Sequence, residues 1–335
     1  MGNLTGIPGA PILFLPDTHP SRALMRMHHP SGRWRLGLCL SLLTVFMWGL
    51  LPVALQITLE EMDGYTITWY RFMAASVLLG SYLALRGGLP GLRGRRPIVL
   101  ILLAGATLGL GGNYVLYILG LSYTSAGSAQ VLIQLAPAMA MLGALVVFRE
   151  RFAKSQWFGL FVLASGMALF FHNRLGEILG EAGDYSLGMI LIFLAAVAWA
   201  IYALAQKQLL SVMPSAAVML VVYSGSTILL LPAASLQTVV DLGTLRFWLL
   251  VFAAFNTLIA YGAFSEALAH WEASRVNAVL SLTPIATLLM IRIGSALWPE
   301  IVASEPLNVL SVAGAALVVA GSMTIALAQA TSTPP

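Results

Sequence analysis

The chain has 335 residues, of which 59% are hydrophobic and 9% charged, and its mean hydropathy is +0.89. A soluble domain carries about 25% charged residues, so this composition excludes a water-facing globular surface and makes lipid the solvent for most of the chain. The net charge of +4 does not point to a nucleic-acid partner, because the basic residues lie in short segments between apolar runs, where they encode membrane orientation.

Residues 1–35 are expected to form a disordered cytoplasmic tail, rich in Pro, Gly and His over its first 30 positions. The apolar patch from Ile12 to Leu15 is too brief for a secretory signal. Met25 and Met27, just before the basic stretch His28–Arg35, are candidates for an alternative start, which N-terminal sequencing would test. Ten apolar runs follow, over residues 36–58, 65–85, 98–120, 126–147, 156–172, 187–206, 215–236, 247–269, 275–297 and 308–329. In lipid each must satisfy its backbone internally, which selects helix. The period-two alternation of a barrel strand is missing. Cys39 is the only cysteine, so a disulfide framework and a Cys-based metal site are excluded.

Placing the N-terminus in the cytoplasm puts 13 of the 17 Lys and Arg on that side: Arg22, Arg26, Arg33, Arg35, Arg86, Arg93, Arg95, Arg96, Arg149, Arg151, Lys154, Lys207 and Arg275. Arg174 and Arg246 fall outside, with the acids Glu60, Glu61, Asp63, Glu177, Glu181, Asp184, Glu300 and Glu305. This bias predicts an even number of spans with both termini cytoplasmic.

The chain also repeats itself. Tyr114–Pro137 aligns without a gap on Tyr261–Pro284, an offset of 147 residues, with Leu121/Leu268, Ala126/Ala273 and Leu135/Leu282 identical. Tyr117/Phe264 and Gln130/Asn277 are close matches. Five spans per copy means that the second enters the membrane from the opposite side, an inverted-topology repeat. Repeats of this kind build many secondary carriers, whose sites lie between the halves near the midplane. The expected fold is all-α integral membrane, with the repeats over 36–172 and 187–329.

Polar residues inside the spans are candidates for the pathway. Gln130, Gln134 and Pro137 share one helix face, and Asn277, Ser281 and Pro284 reproduce it. Asn113, Tyr114 and Tyr117 on the third span have rough counterparts in Asn256 and Tyr261 on the eighth. Trp48 and Trp199 lie about twelve residues into their spans, too deep for interfacial anchors. With Tyr202 they offer aromatic walls and cation–π attraction. The alternative for all of these is interhelical packing and hydrogen bonding. Pro137 and Pro284 are expected to act as hinges and to free backbone carbonyls. Glu266 and Arg292 are candidates for proton coupling or carboxylate binding. Arg71 is expected to snorkel from the outer end of span two to the headgroups, and Glu150 to form an interfacial pair. Gly105, Gly109, Gly111 and Gly112 are expected to permit close helix contact.

Three further features carry a resemblance: Ala136-Pro137 then Phe148-Arg149-Glu150 then Gly159 and Gly166; Thr283-Pro284 then Trp298-Pro299-Glu300 then Gly314 and Gly321; and Trp48 and Trp199 in the first span of each half. On these the chain resembles the drug/metabolite transporter superfamily, specifically proteins with two EamA domains, over about residues 36–329. The second copy departs from the first, with 16 residues from Pro284 to Glu300 against 13 from Pro137 to Glu150. The resemblance implies export of amino acids, related metabolites or drugs across a plasma membrane (a bacterial inner membrane), by alternating access and with no cofactor. The expected partners are a small-molecule substrate and the bilayer. A channel-like pore or a non-transporting receptor is the alternative. An intramembrane enzyme would need clustered catalytic side chains within the spans, which are missing, and no GxxxxGK[ST] loop is present for direct use of ATP.

Overall fold

A computed structural model describes residues 32–147, 153–179 and 183–331, and every regular element among them is helical. Most of the N-terminal tail, together with Arg149, Glu150 and Arg151, lies outside the described residues. The first half comprises α1 (Trp34–Thr58), α2 (Gly64–Leu85), α3 (Pro97–Ser122), α4 (Ala126–Leu132), α5 (Leu135–Val147), α6 (Lys154–Phe170) and the short α7 (Leu175–Leu179). The second comprises α8 (Asp184–Leu209), α9 (Ser215–Leu230), the short α10 (Thr238–Asp241), α11 (Thr244–His270), α12 (Ala273–Leu280), α13 (Thr283–Leu297) and α14 (Val309–Thr331).

Among the described residues, eight spans are long and apolar enough to cross a membrane, with α4–α5 and α12–α13 each counting as one. Helices α2, of 22 residues, and α6, of 17, pack alongside them and bring the number to ten. The seventh run ends at Leu230 instead of 236, because Pro232 cannot continue the helix ladder and the chain passes into a 3₁₀ turn over Leu231–Ala233.

The two halves interleave, and each principal helix pairing between them has a twin. Helix α1 packs on α11 as α8 packs on α3; α5 packs on α8 as α13 packs on α1; α2 touches α11 as α9 touches α3. Two pairings, α2 with α9 and α6 with α14, join a helix to its own counterpart. This is the packing expected of two inverted repeats about a pseudo-twofold axis in the membrane plane.

The α6–α14 contact explains the spaced glycines. A Cβ on Gly159 would stand 3.0 Å from the Gly321 carbonyl oxygen, and one on Gly321 would stand 2.7 Å from that of Gly159. Gly166 and Gly314 face each other in the same way. In lipid the packing of closely approached backbones is itself a main source of helix association.

The connections gather at two ends. One, here the acidic face, joins its loops through Gln56 Nε2 to the Thr124 carbonyl at 3.4 Å, Ser235 N–H to Thr66 Oγ1 at 2.7 Å, Gly243 N–H to Glu61 Oε2 at 2.9 Å and Arg246 to Glu60 and Glu61. The other, the basic face, carries Arg95, whose Nη1 donates to the Val212 carbonyl at 3.3 Å.

Candidate substrate site

Spans four and nine are not the continuous kinked helices expected. Both are interrupted, by a two-residue turn at Ile133-Gln134 and at Ser281-Leu282. The cause is proline at the start of each following helix, which removes the N–H that would bind the carbonyl four residues back. Those carbonyls are not left open to a substrate, as the sequence suggested. The Ile133 carbonyl accepts the Ala136 N–H at 2.8 Å, and the Leu280 carbonyl accepts the Thr283 hydroxyl at 2.5 Å. Pro284 is buried, whereas Pro137 is exposed. The two interruptions meet: Gln134 Nε2 donates to the Ser281 carbonyl at 3.2 Å, linking residues related by the 147-residue offset. Ser281 turns its hydroxyl back onto the Asn277 carbonyl at 3.0 Å, and Asn277 itself is half-buried.

Asn113 and Asn256 also form a twin pair, but as staples between helices. Asn113 Nδ2 donates to the Ala195 carbonyl of α8 at 2.9 Å, and Asn256 Nδ2 to the Met47 carbonyl of α1 at 2.6 Å. Both side chains are buried, Asn256 completely. A buried amide nitrogen bonded to a neighbouring helix backbone fixes packing, while the other amide atom of Asn256, Oδ1, is buried without a partner among the described residues. Tyr202 is likewise a core residue, with its hydroxyl against Met219 Sδ at 3.2 Å.

The remaining aromatics converge. Trp48 meets Tyr261 edge-on at 5.3 Å between ring centroids and Phe264 at 6.0 Å. Tyr114 lies 4.6 Å from Phe72, which is 6.0 Å from Tyr223. Tyr117 donates to Gln130 Oε1 at 3.2 Å, and Trp199 lies 6.4 Å from Tyr202. Among them sits a residue that the sequence reading misplaced. Arg71 is only 3% exposed; it does not snorkel. Its guanidinium carbon lies 4.4 Å over the Tyr114 ring, its Nε donates to Thr257 Oγ1 at 3.3 Å, and Tyr117, Tyr223 and Tyr261 are near enough to interact with its charge. A signal was available: Arg71 follows seven residues after Gly64, about 10 Å into the helix, beyond easy reach of the headgroups.

Glu266 and Arg292 do not join this group. The Glu266 side chain is 62% exposed and bonds His270 Nε2 at 3.1 Å near the basic end of α11. Arg292 is exposed on α13 beside Leu289 and Ile293, on a lipid-facing stripe. No group of three His, Cys, Asp or Glu that could hold a metal occurs among the described residues.

An all-helical membrane bundle of two interleaved, inverted repeats around a shared aromatic interior defines a class of membrane transport protein. Sequence comparison agrees. The pattern of the EamA-like transporter family matches twice, over residues 35–172 and 186–327, and the chain belongs to that family. It is 40% identical over 289 residues to the Escherichia coli protein named "Uncharacterized inner membrane transporter YhbE", covering 86% of this chain and 90% of that one. A Haemophilus influenzae protein named "Uncharacterized transporter" is 36% identical over 292 residues, 87% of this chain and 95% of the other. A Salmonella typhimurium protein named "Probable amino-acid metabolite efflux pump" is 25% identical over 295 residues, 84% of this chain and 92% of the other. A solved crystal structure shares the fold, with a TM-score of 0.59 at 17% identity over 89% of this chain and 99% of that chain.

Proposed function

We propose that this protein is a secondary carrier that exports small metabolites, amino acids or compounds like them, by alternating access. The observation that carries the reading is the twinned packing: each main contact between helices of one repeat and the other recurs with the roles exchanged. A bundle of that kind can exchange the packing at its two faces, which is how inverted repeats open alternately to either side. The repeats in this reading are residues 36–172 and 187–329. The basic face with both termini is cytoplasmic, by the asymmetry of Lys and Arg, and the protein resides in the plasma membrane. The name of the Salmonella relative, "Probable amino-acid metabolite efflux pump", supports the amino-acid class.

Counterflow in proteoliposomes tests the proposal. Vesicles preloaded with an unlabelled amino-acid mixture should take up labelled members transiently and saturably. Uptake matching that of protein-free vesicles would refute transport, and uptake that never saturates would indicate a pore.

A further inference from the structure

We infer that Arg71 seats the carboxylate of a small monocarboxylate substrate, zwitterionic amino acids included, with an apolar or aromatic body. The inference rests on the transport reading above and specifies its site. Arg71 is buried to 3% exposure within a membrane helix, yet no carboxylate pairs with it among the described residues. Its one hydrogen bond, Nε to Thr257 Oγ1 at 3.3 Å, leaves the two terminal nitrogens of the fork without an acceptor among the described residues. A buried, permanently charged guanidinium without a counter-ion is strongly unfavourable. If Arg71 only tied α2 to α11, a neutral donor would make the Thr257 bond without that penalty. A ligand carboxylate removes it, because the planar fork matches a carboxylate in two parallel charge-assisted bonds.

The surroundings define the rest of the ligand. The guanidinium carbon lies over the Tyr114 ring, Phe72 packs on Tyr114, and Tyr261 meets Trp48, so the surrounding surface is aromatic. The other cations at hand are engaged elsewhere: Arg246 pairs with Glu60 and Glu61, and Arg174 pairs with Glu177. One interior positive charge suits a single carboxylate better than a phosphate dianion. The two terminal nitrogens also differ from the amide nitrogens of Asn113 and Asn256, which are bonded to helix backbone.

The test is binding to the purified full chain, followed by tryptophan fluorescence or calorimetry, with L-phenylalanine, L-phenylalaninamide and 3-phenylpropionate. These probes share an aromatic body and differ in the carboxylate or the amine. Both acids should bind about tenfold or more tightly than the amide, the range set by charge-assisted hydrogen bonds. Arg71→Gln should bring acid and amide to within about twofold of each other. Arg71→Lys should fall between, because an ammonium cannot reproduce the fork. Equal binding of acid and amide by the wild-type protein would overturn the inference whether or not the variants fold, as would an unchanged acid preference in Arg71→Gln, or no binding of either acid. Saturable counterflow of amino acids alongside any of those results would leave the transport reading standing and remove only the Arg71 site. No counterflow with any amino acid would remove the transport reading itself.

Discussion

Single side chains divide here by what their hydrogen bonds reach. Asn256 is fully buried, and its amide reaches the Met47 carbonyl across the α1–α11 seam at 2.6 Å, where its twin Asn113 does the same for α3 and α8. In apolar surroundings such a bond contributes about 1 kcal/mol. Asn256→Ala should therefore lower the stability of the detergent-solubilised protein by about that amount while leaving the order of substrate preference unchanged. A thermal unfolding series read beside a competition assay checks both halves. A changed substrate order at unaltered stability would return Asn256 to the pathway. Arg71 is the opposite case: beyond the Nε bond to Thr257, its two terminal nitrogens reach no acceptor among the described residues, so its substitution should act on ligand choice.

At the scale of helices, two devices shape the bundle. Proline interrupts spans four and nine beside the axis, and the interruptions are bridged by Gln134 and Ser281. Glycine brings α6 and α14 into backbone contact, where a Cβ on Gly166 would stand 2.5 Å from the Val318 nitrogen and 2.8 Å from the Gly314 oxygen. Backbone cannot retreat as a flexible side chain can, so Gly166→Val should destabilise the fold by about 2 kcal/mol or more. Gly105→Val is the matched control, since nothing stands within 4 Å of a Cβ there. Of the glycines expected to permit close contact on α3, Gly109 does so against backbone, 2.7 Å from the Tyr202 nitrogen by the same construction, and Gly111 against a side chain, 3.0 Å from Ser226 Oγ. Melting temperatures of the two variants, measured together in one detergent, should separate clearly. Equal values would show that the α6–α14 seam can relax.

For the molecule as a whole, the proposed alternating access would require one face to open while the other is held. The acidic face has a specific closure. Glu305, from the connection between α13 and α14, reaches the start of α4, accepting hydrogen bonds from the Ser125 hydroxyl and from Ser128 Oγ, the latter at 3.3 Å. Tyr185 of α8 donates to the same Ser128 at 3.0 Å, and a cavity of about 160 Å³ lies beside this clamp, lined in part by Gln56, Glu60, Arg174 and Glu305. Its second oxygen, Oε2, is buried without a partner among the described residues. This clamp comes from the connection that is longer than its basic counterpart, the difference visible in the repeat spacing. In a Cys39→Ser background, joining Ser125→Cys to Glu305→Cys by oxidation should stop turnover, and reduction should restore it. Transport that continues in the cross-linked protein would mean that this face does not open at the clamp.

The sequence by itself determined the solvent, the number of spans and the duplication, because hydropathy and the 147-residue offset are properties of chain order alone. It also showed that the polar face around Gln134 and the one around Ser281 are equivalent. It could not show that they touch, nor that α4–α5 and α12–α13 are interrupted there, since whether proline bends or breaks a helix depends on which neighbours satisfy the freed carbonyls. Only the tertiary structure decided which polar residues pin helices and which face the interior. Position along a span gives depth but not direction. Arg71, Glu266 and Arg292 all lie in apolar runs, and lateral packing alone turned the first into the bundle and the other two outward.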